Sequence, residues 1–136
     1  MSRNPLRILL RVRTALVTAA RQDLALALAK EVAAERALGA AATTIARERA
    51  GCPPDATLAF AVWLPHARAA QDQARALLAR QVGQTTQCRA ALAERHADAQ
   101  AVLKLLEKQD AEAALAAGRR EQSVMDEAAG RAARPQ

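Results

Sequence analysis

Ala50-Gly51-Cys52-Pro53-Pro54-Asp55-Ala56-Thr57 is the one cluster of glycine and proline in the 136-residue chain. It decides the fold. No proline lies between Pro5 and Pro53, and none between Pro65 and Pro135. Proline in a helix interior costs about 3 kcal/mol, so two long proline-free windows filled with Ala, Leu, Arg and Gln read as two long helices. The sequence predicts helix one over about 5–49, a turn over about 50–57 and helix two over about 58–132, a single all-α helical hairpin. Gly51 is placed to cap helix one, and the prolines after it prevent continuation. Phe60-Ala61-Val62-Trp63-Leu64-Pro65 reads as the start of helix two or a short preliminary turn, with Pro65 in the first turn.

Composition argues against a globule. Hydrophobic residues make up 51% of the chain, but 38 of them are Ala, against 17 Leu, 7 Val, 2 Ile and 1 Phe. Leu, Ile, Val and Phe together amount to about a fifth of the residues, near the level where a compact core becomes hard to build. Phe60 and Trp63 are the sole aromatics, so the side chains that dominate cores are missing. No charge-free run approaches the ~20 apolar residues of a membrane-spanning helix. Cys52 and Cys88 do not make a disulfide framework, and no signal-peptide pattern precedes them, so a reducing cytoplasm is the expected setting. The net charge is +6, with 17 of 20 basic residues Arg, which points to acidic partners.

Heptad spacing predicts that the two helices pair along their length as an antiparallel coiled coil. In helix one, Leu10, Val17, Leu24, Leu38 and Ile45 recur every seven residues with one break at Glu31. The companion series Leu6, Arg13, Ala20, Ala27, Ala34 and Ala41 is mainly alanine. In helix two, Leu64, Leu78, Leu92, Ala99, Leu106 and Ala113 share a series interrupted by Gln71 and Thr85. Phe60, Ala67, Ala74, Gln81, Cys88, Arg95 and Val102 form its neighbour. At 1.5 Å per residue, helix one spans about 68 Å and the stretch from Leu64 to Arg134 about 105 Å. Folding back at Pro53 therefore brings the start of the chain level with Lys104 to Glu112. The C-terminal helix is expected to overhang by about 30 Å, and the two cysteines lie too far apart to bridge.

Enzymatic chemistry lacks its parts. His66 and His96 are the only imidazoles and sit far apart on one helix, and no Gly-rich phosphate loop, CxxC or HExxH occurs. Cys88 and His96 are offset by about 80° around a helix, so neither a metal nor a cofactor is expected. Residues before Asp23 carry Arg3, Arg7, Arg11, Arg13 and Arg21 with no acid. That segment reads as an anionic-membrane helix, an Arg-rich transit peptide, or the solvated face of a coiled-coil arm, the last favoured by the heptad that runs on to Ile45. Nucleic acid is not the expected partner, because 14 acids interleave with the basic residues and no stacking aromatics accompany them.

The C-terminal stretch is the most specific. Lys104-Leu105-Leu106-Glu107-Lys108, followed after a spacer by Arg120-Glu121-Gln122-Ser123-Val124-Met125-Asp126-Glu127, resembles the signature of the FliJ family of flagellar type III export proteins, K-x-L-E-K … R-x-E-Q-x-x-x-D-E. The opening Pro5-Leu6-Arg7-Ile8-Leu9-Leu10-Arg11-Val12-Arg13 is similar to that family's leucine- and arginine-bearing start. The resemblance covers essentially the whole chain. It implies a cytoplasmic, non-enzymatic stalk, peripheral at the inner face of the cell membrane. Such a stalk associates with the hexameric export ATPase and contacts an export gate membrane protein and export chaperones. On this resemblance the partner-binding residues are Leu6, Arg7, Leu10, Arg11 and Arg13 from helix one. Helix two contributes Arg119, Arg120, Glu121, Gln122, Met125, Asp126 and Glu127. The equivalent stalk of a virulence-type secretion system is the nearest alternative. A basic helical binder of nucleic acid or membrane surface is the alternative from another class.

Overall fold

The structure, a computed structural model, describes residues 4–134. These form two long α-helices and one short 3-10 turn. Helix α1 is Pro5–Ala50, the 3-10 turn is Pro54–Ala56, and α2 is Thr57–Ala133. The chain is all-α, and each long helix ends within a residue or two of where proline and glycine placed its boundary.

Local chemistry accounts for these boundaries. Asn4 caps α1: its side-chain oxygen accepts from the Leu6 backbone N–H at 3.0 Å, and Pro5 fills the first helical position, where a missing N–H costs nothing. At the other end Arg47 and Arg49 lie in the last turn, where cations suit the helix dipole. Gly51 does not act as a left-handed cap. No described glycine has a positive φ, and the Gly51 N–H donates to the Arg47 carbonyl at 2.9 Å, an ordinary helical bond. Termination falls to Cys52-Pro53-Pro54, whose prolines cannot donate onward. The Thr57 hydroxyl then donates to the Pro54 carbonyl at 3.0 Å and ties the 3-10 turn to α2. Pro65 lies inside α2 rather than in its first turn. The helix starts eight residues earlier, at Thr57, because the 3-10 turn supplies its nucleus and Phe60, Trp63 and Leu64 are already half-covered.

By contact density the chain divides into two compact units, one of residues up to Ala15 together with residues from His96 onward, the other of Leu16–Arg95. In the second unit the covered α1 residues are Val17, Ala20, Leu24, Ala27, Glu31, Ala34, Leu38, Ala41 and Ile45, with Leu16 beside them. Apart from Leu16 they keep alternating spacings of three and four, the two interleaved heptad series read from the sequence. On α2 the covered positions run from Phe60 through Leu64, Ala67, Gln71, Ala74, Leu78, Gln81, Thr85 and Cys88 to Leu92. Thr85, at 1% exposure, is the most deeply buried side chain among the described residues, and its hydroxyl donates to the Gln81 carbonyl one turn back at 3.0 Å. In the first unit Ala99, Val102 and Leu106 of α2 are buried, and Leu6, Leu10 and Arg13 of α1 are half-buried. Two expected seam members, Arg95 and Ala113, are exposed instead. Arg95 keeps its charge in water, and Ala113 lies past Gln109, which the first described residue, Asn4, already meets.

Candidate functional site

The twelve residues assigned to partner binding all fall in the unit that joins the N-terminal segment to residues from His96 onward. The structure holds them as two separate groups. The first group is built on the opening turns of α1. Leu6 and Leu10 are half-buried, and Leu10 lines a groove together with Leu106. Arg7 pairs with Asp110 at 3.6 Å with both side chains largely in water. Arg13 pairs with Asp98 at 3.5 Å in a more enclosed setting, with side-chain exposures of 35% and 42%. The Arg13 Nε is buried without a hydrogen-bond partner, so this guanidinium is held by one edge. Arg11 is exposed and lines a shallow groove with Arg7, Leu10, Thr14 and Leu106. Asn4 belongs with them, since its side-chain amide donates to Gln109 at 2.7 Å.

The second group continues along α2. From Ala111 to Arg134 every residue is exposed except half-buried Ala116. Arg119 begins about 15 Å along the helix axis from Gln109, and the described contacts do not join it to the first group. Gln122 donates to the Asp126 carboxylate at 3.0 Å, and Glu127 pairs with Arg131 at 3.9 Å, both one helical turn apart. Among the described residues no ion pair reaches Arg119, Arg120 or Glu121. Met125 and Val124 are each 65% exposed and Leu115 62%. With Ala111, Ala114 and Gly118 beside it, Leu115 borders an open, mainly apolar groove that reaches Arg119 and Gln122. The segment therefore offers free guanidinium groups, a free carboxylate and uncovered apolar side chains on one helix.

Asn4, Asp98, Gln109 and Asp110 were not singled out by the sequence, although they orient the first group. A signal existed for Asn4, because Asn directly before Pro is a helix start. For the acids there was no such signal, because an exposed arginine is solvated by water and requires no partner acid. No cluster of three His, Cys, Asp or Glu side chains with metal-binding geometry forms among the described residues, and no described helix is long and apolar enough to cross a membrane. Comparison with protein-family models, with curated proteins and with solved structures finds no match to this chain.

Proposed function

We propose that this chain is a non-enzymatic stalk and assembly factor of a flagellar type III export ATPase. In this reading it works at the cytoplasmic face of the membrane, with export gate and export chaperones as further partners. The helices then form an antiparallel coiled-coil hairpin with an overhanging C-terminal helix. Two ion pairs support that pairing: as the α1 position rises from Arg7 to Arg13, its α2 partner falls from Asp110 to Asp98. Heptad recurrence of the covered residues supports it too.

The observation that carries the functional reading is the continuation of α2 from Asp110 to Ala133 with nearly every side chain in water. Leu115, Val124 and Met125 are exposed along it, and among the described residues no ion pair reaches Arg119, Arg120 or Glu121. This is also the stretch that bears the R-x-E-Q-x-x-x-D-E resemblance. A ring-shaped ATPase that grips a helix through polar and small apolar contacts fits such a surface. The purified chain is expected to hydrolyse no nucleotide and to raise the ATPase rate of its cognate hexamer. An unchanged rate with the matched ATPase sinks the proposal, and stimulation only of a virulence-system ATPase moves the chain to that apparatus. The nucleic-acid or membrane-surface reading is weaker, because Asp110 and Asp98 already engage two of the N-terminal arginines it would use.

A further inference from the structure

Both aromatic rings of the chain, and a carboxylate without an ion-pair partner, converge on one groove. It lies inside the Leu16–Arg95 unit, between the last turns of α1 and the first turns of α2, and has a volume of about 430 Å³. Thr44, Glu48, Cys52, Pro53, Phe60 and Trp63 line most of it. The ring centroids of Phe60 and Trp63 are 5.7 Å apart and tilted by 42°, so the two π faces meet at an angle instead of stacking. Glu48 is exposed, and among the described residues no cation pairs with it. Arg47 and Arg49 project about 100° to either side of it around the helix. Of the other polar side chains lining it, the Thr44 hydroxyl donates to the Ala40 carbonyl and the Cys52 thiol to the Pro53 carbonyl.

The groove's lining is electron-rich: two aromatic rings, whose π systems carry negative charge density on their faces, and one carboxylate. No cation lines it. A carboxylate or phosphate ligand would meet repulsion from Glu48, and a purely apolar ligand would leave Glu48 unused. A long cationic side chain matches both features, with its methylene stem along the indole and phenyl rings and its charged head at Glu48. We propose that this groove binds an arginine or lysine side chain presented by a segment of a partner protein. The proposal is independent of the stalk reading and concerns the opposite end of α1 from the residues that reading uses.

Trp63 is the single tryptophan, so its fluorescence reports the groove directly. The full chain is titrated with N-acetyl-arginine amide, N-acetyl-lysine amide and N-acetyl-leucine amide. A saturable change in Trp63 emission with a millimolar dissociation constant is expected for at least one cationic probe, and none for the leucine probe. Glu48→Gln is expected to weaken the cationic response about threefold, the scale of an exposed ion pair, and Glu48→Lys to abolish it. Position 48 is exposed, so both variants should keep the parent's circular dichroism melting curve. No saturable response to either cationic probe, an equal response to the leucine probe, or a cationic response indifferent to Glu48→Gln overturns the proposal.

Discussion

At the residue scale the decisive side chain is alanine. Ala27 and Ala34 are each 4% exposed, so a methyl group is all that separates their backbone from whatever packs on it. Leucine there adds three carbons to filled space, and overpacking of that kind costs about 1–3 kcal/mol. Ala34→Leu is therefore expected to lower the urea midpoint, whereas Ala33→Leu on the exposed neighbouring position should stay within about 0.5 kcal/mol of the parent. Equal tolerance at both sites would mean that Ala34 has room around it that its burial denies. The two ion pairs of the N-terminal segment separate in the same way. Asp98→Ala leaves half-covered Arg13 with a buried Nε and no acid, and about 1 kcal/mol of destabilisation is expected. Asp110→Ala releases Arg7 into water and should cost a few tenths of a kcal/mol at most. Paired thermal melts of the two variants check the difference. On α1 the covered alanines, Ala20, Ala27, Ala34 and Ala41, were legible from the seven-residue period, whereas on α2 the same period also pointed to Ala113, which is exposed. Which acid would hold which arginine was not legible, because that choice depends on how two stretches far apart in sequence align residue by residue, and a seven-residue period repeats without marking one alignment.

At the element scale, helix boundaries were legible and helix interiors less so. Proline chemistry bounded both ends of α1 and put the start of α2 at about 58, one residue from Thr57, but the same reasoning put Pro65 in a first turn, whereas it lies inside the helix. A 3-10 turn and one threonine bond extended the helix upstream, and such short-range geometry leaves only a faint trace in composition. Inside α2, Pro65 has no N–H for the Ala61 carbonyl and crowds the turn before it. Pro65→Ala is expected to stabilise the protein by about 1–3 kcal/mol, read as a higher denaturant midpoint with an unchanged slope. A lower midpoint would show that Pro65 makes contacts worth more than the missing bond. The helical glycines offer a second test of the same element physics. A Cβ built at Gly39 or Gly83 meets nothing within 4 Å. Alanine there should thus add about 0.5–1 kcal/mol each by restricting the unfolded chain.

At the scale of the whole molecule, stability and the proposed partner surface should be separable. The end segments of the chain differ sharply in coverage. Residues before Leu16 include half-buried Leu6, Leu10 and Arg13 and share a unit with buried Val102 and Leu106. Removing residues 1–15 strips apolar cover, and a loss of about 2–5 kcal/mol is expected. Residues 119–134, in contrast, are wholly exposed, and the side-chain bonds among them join residues one turn apart. They remain helical because they extend a helix that is already nucleated, where each Ala, Arg, Glu or Gln adds a bond without a new nucleation cost. Deleting residues 119–136 should accordingly leave the thermal midpoint and the helicity per residue nearly unchanged, within about 0.5 kcal/mol of stability. The stalk reading adds that this same truncation abolishes binding to the export ATPase, measured by co-sedimentation with the hexamer. A large fall in midpoint would mean that these residues pack against the rest of the chain. Intact ATPase binding by a stable truncated chain would move the partner surface to the N-terminal group around Arg11.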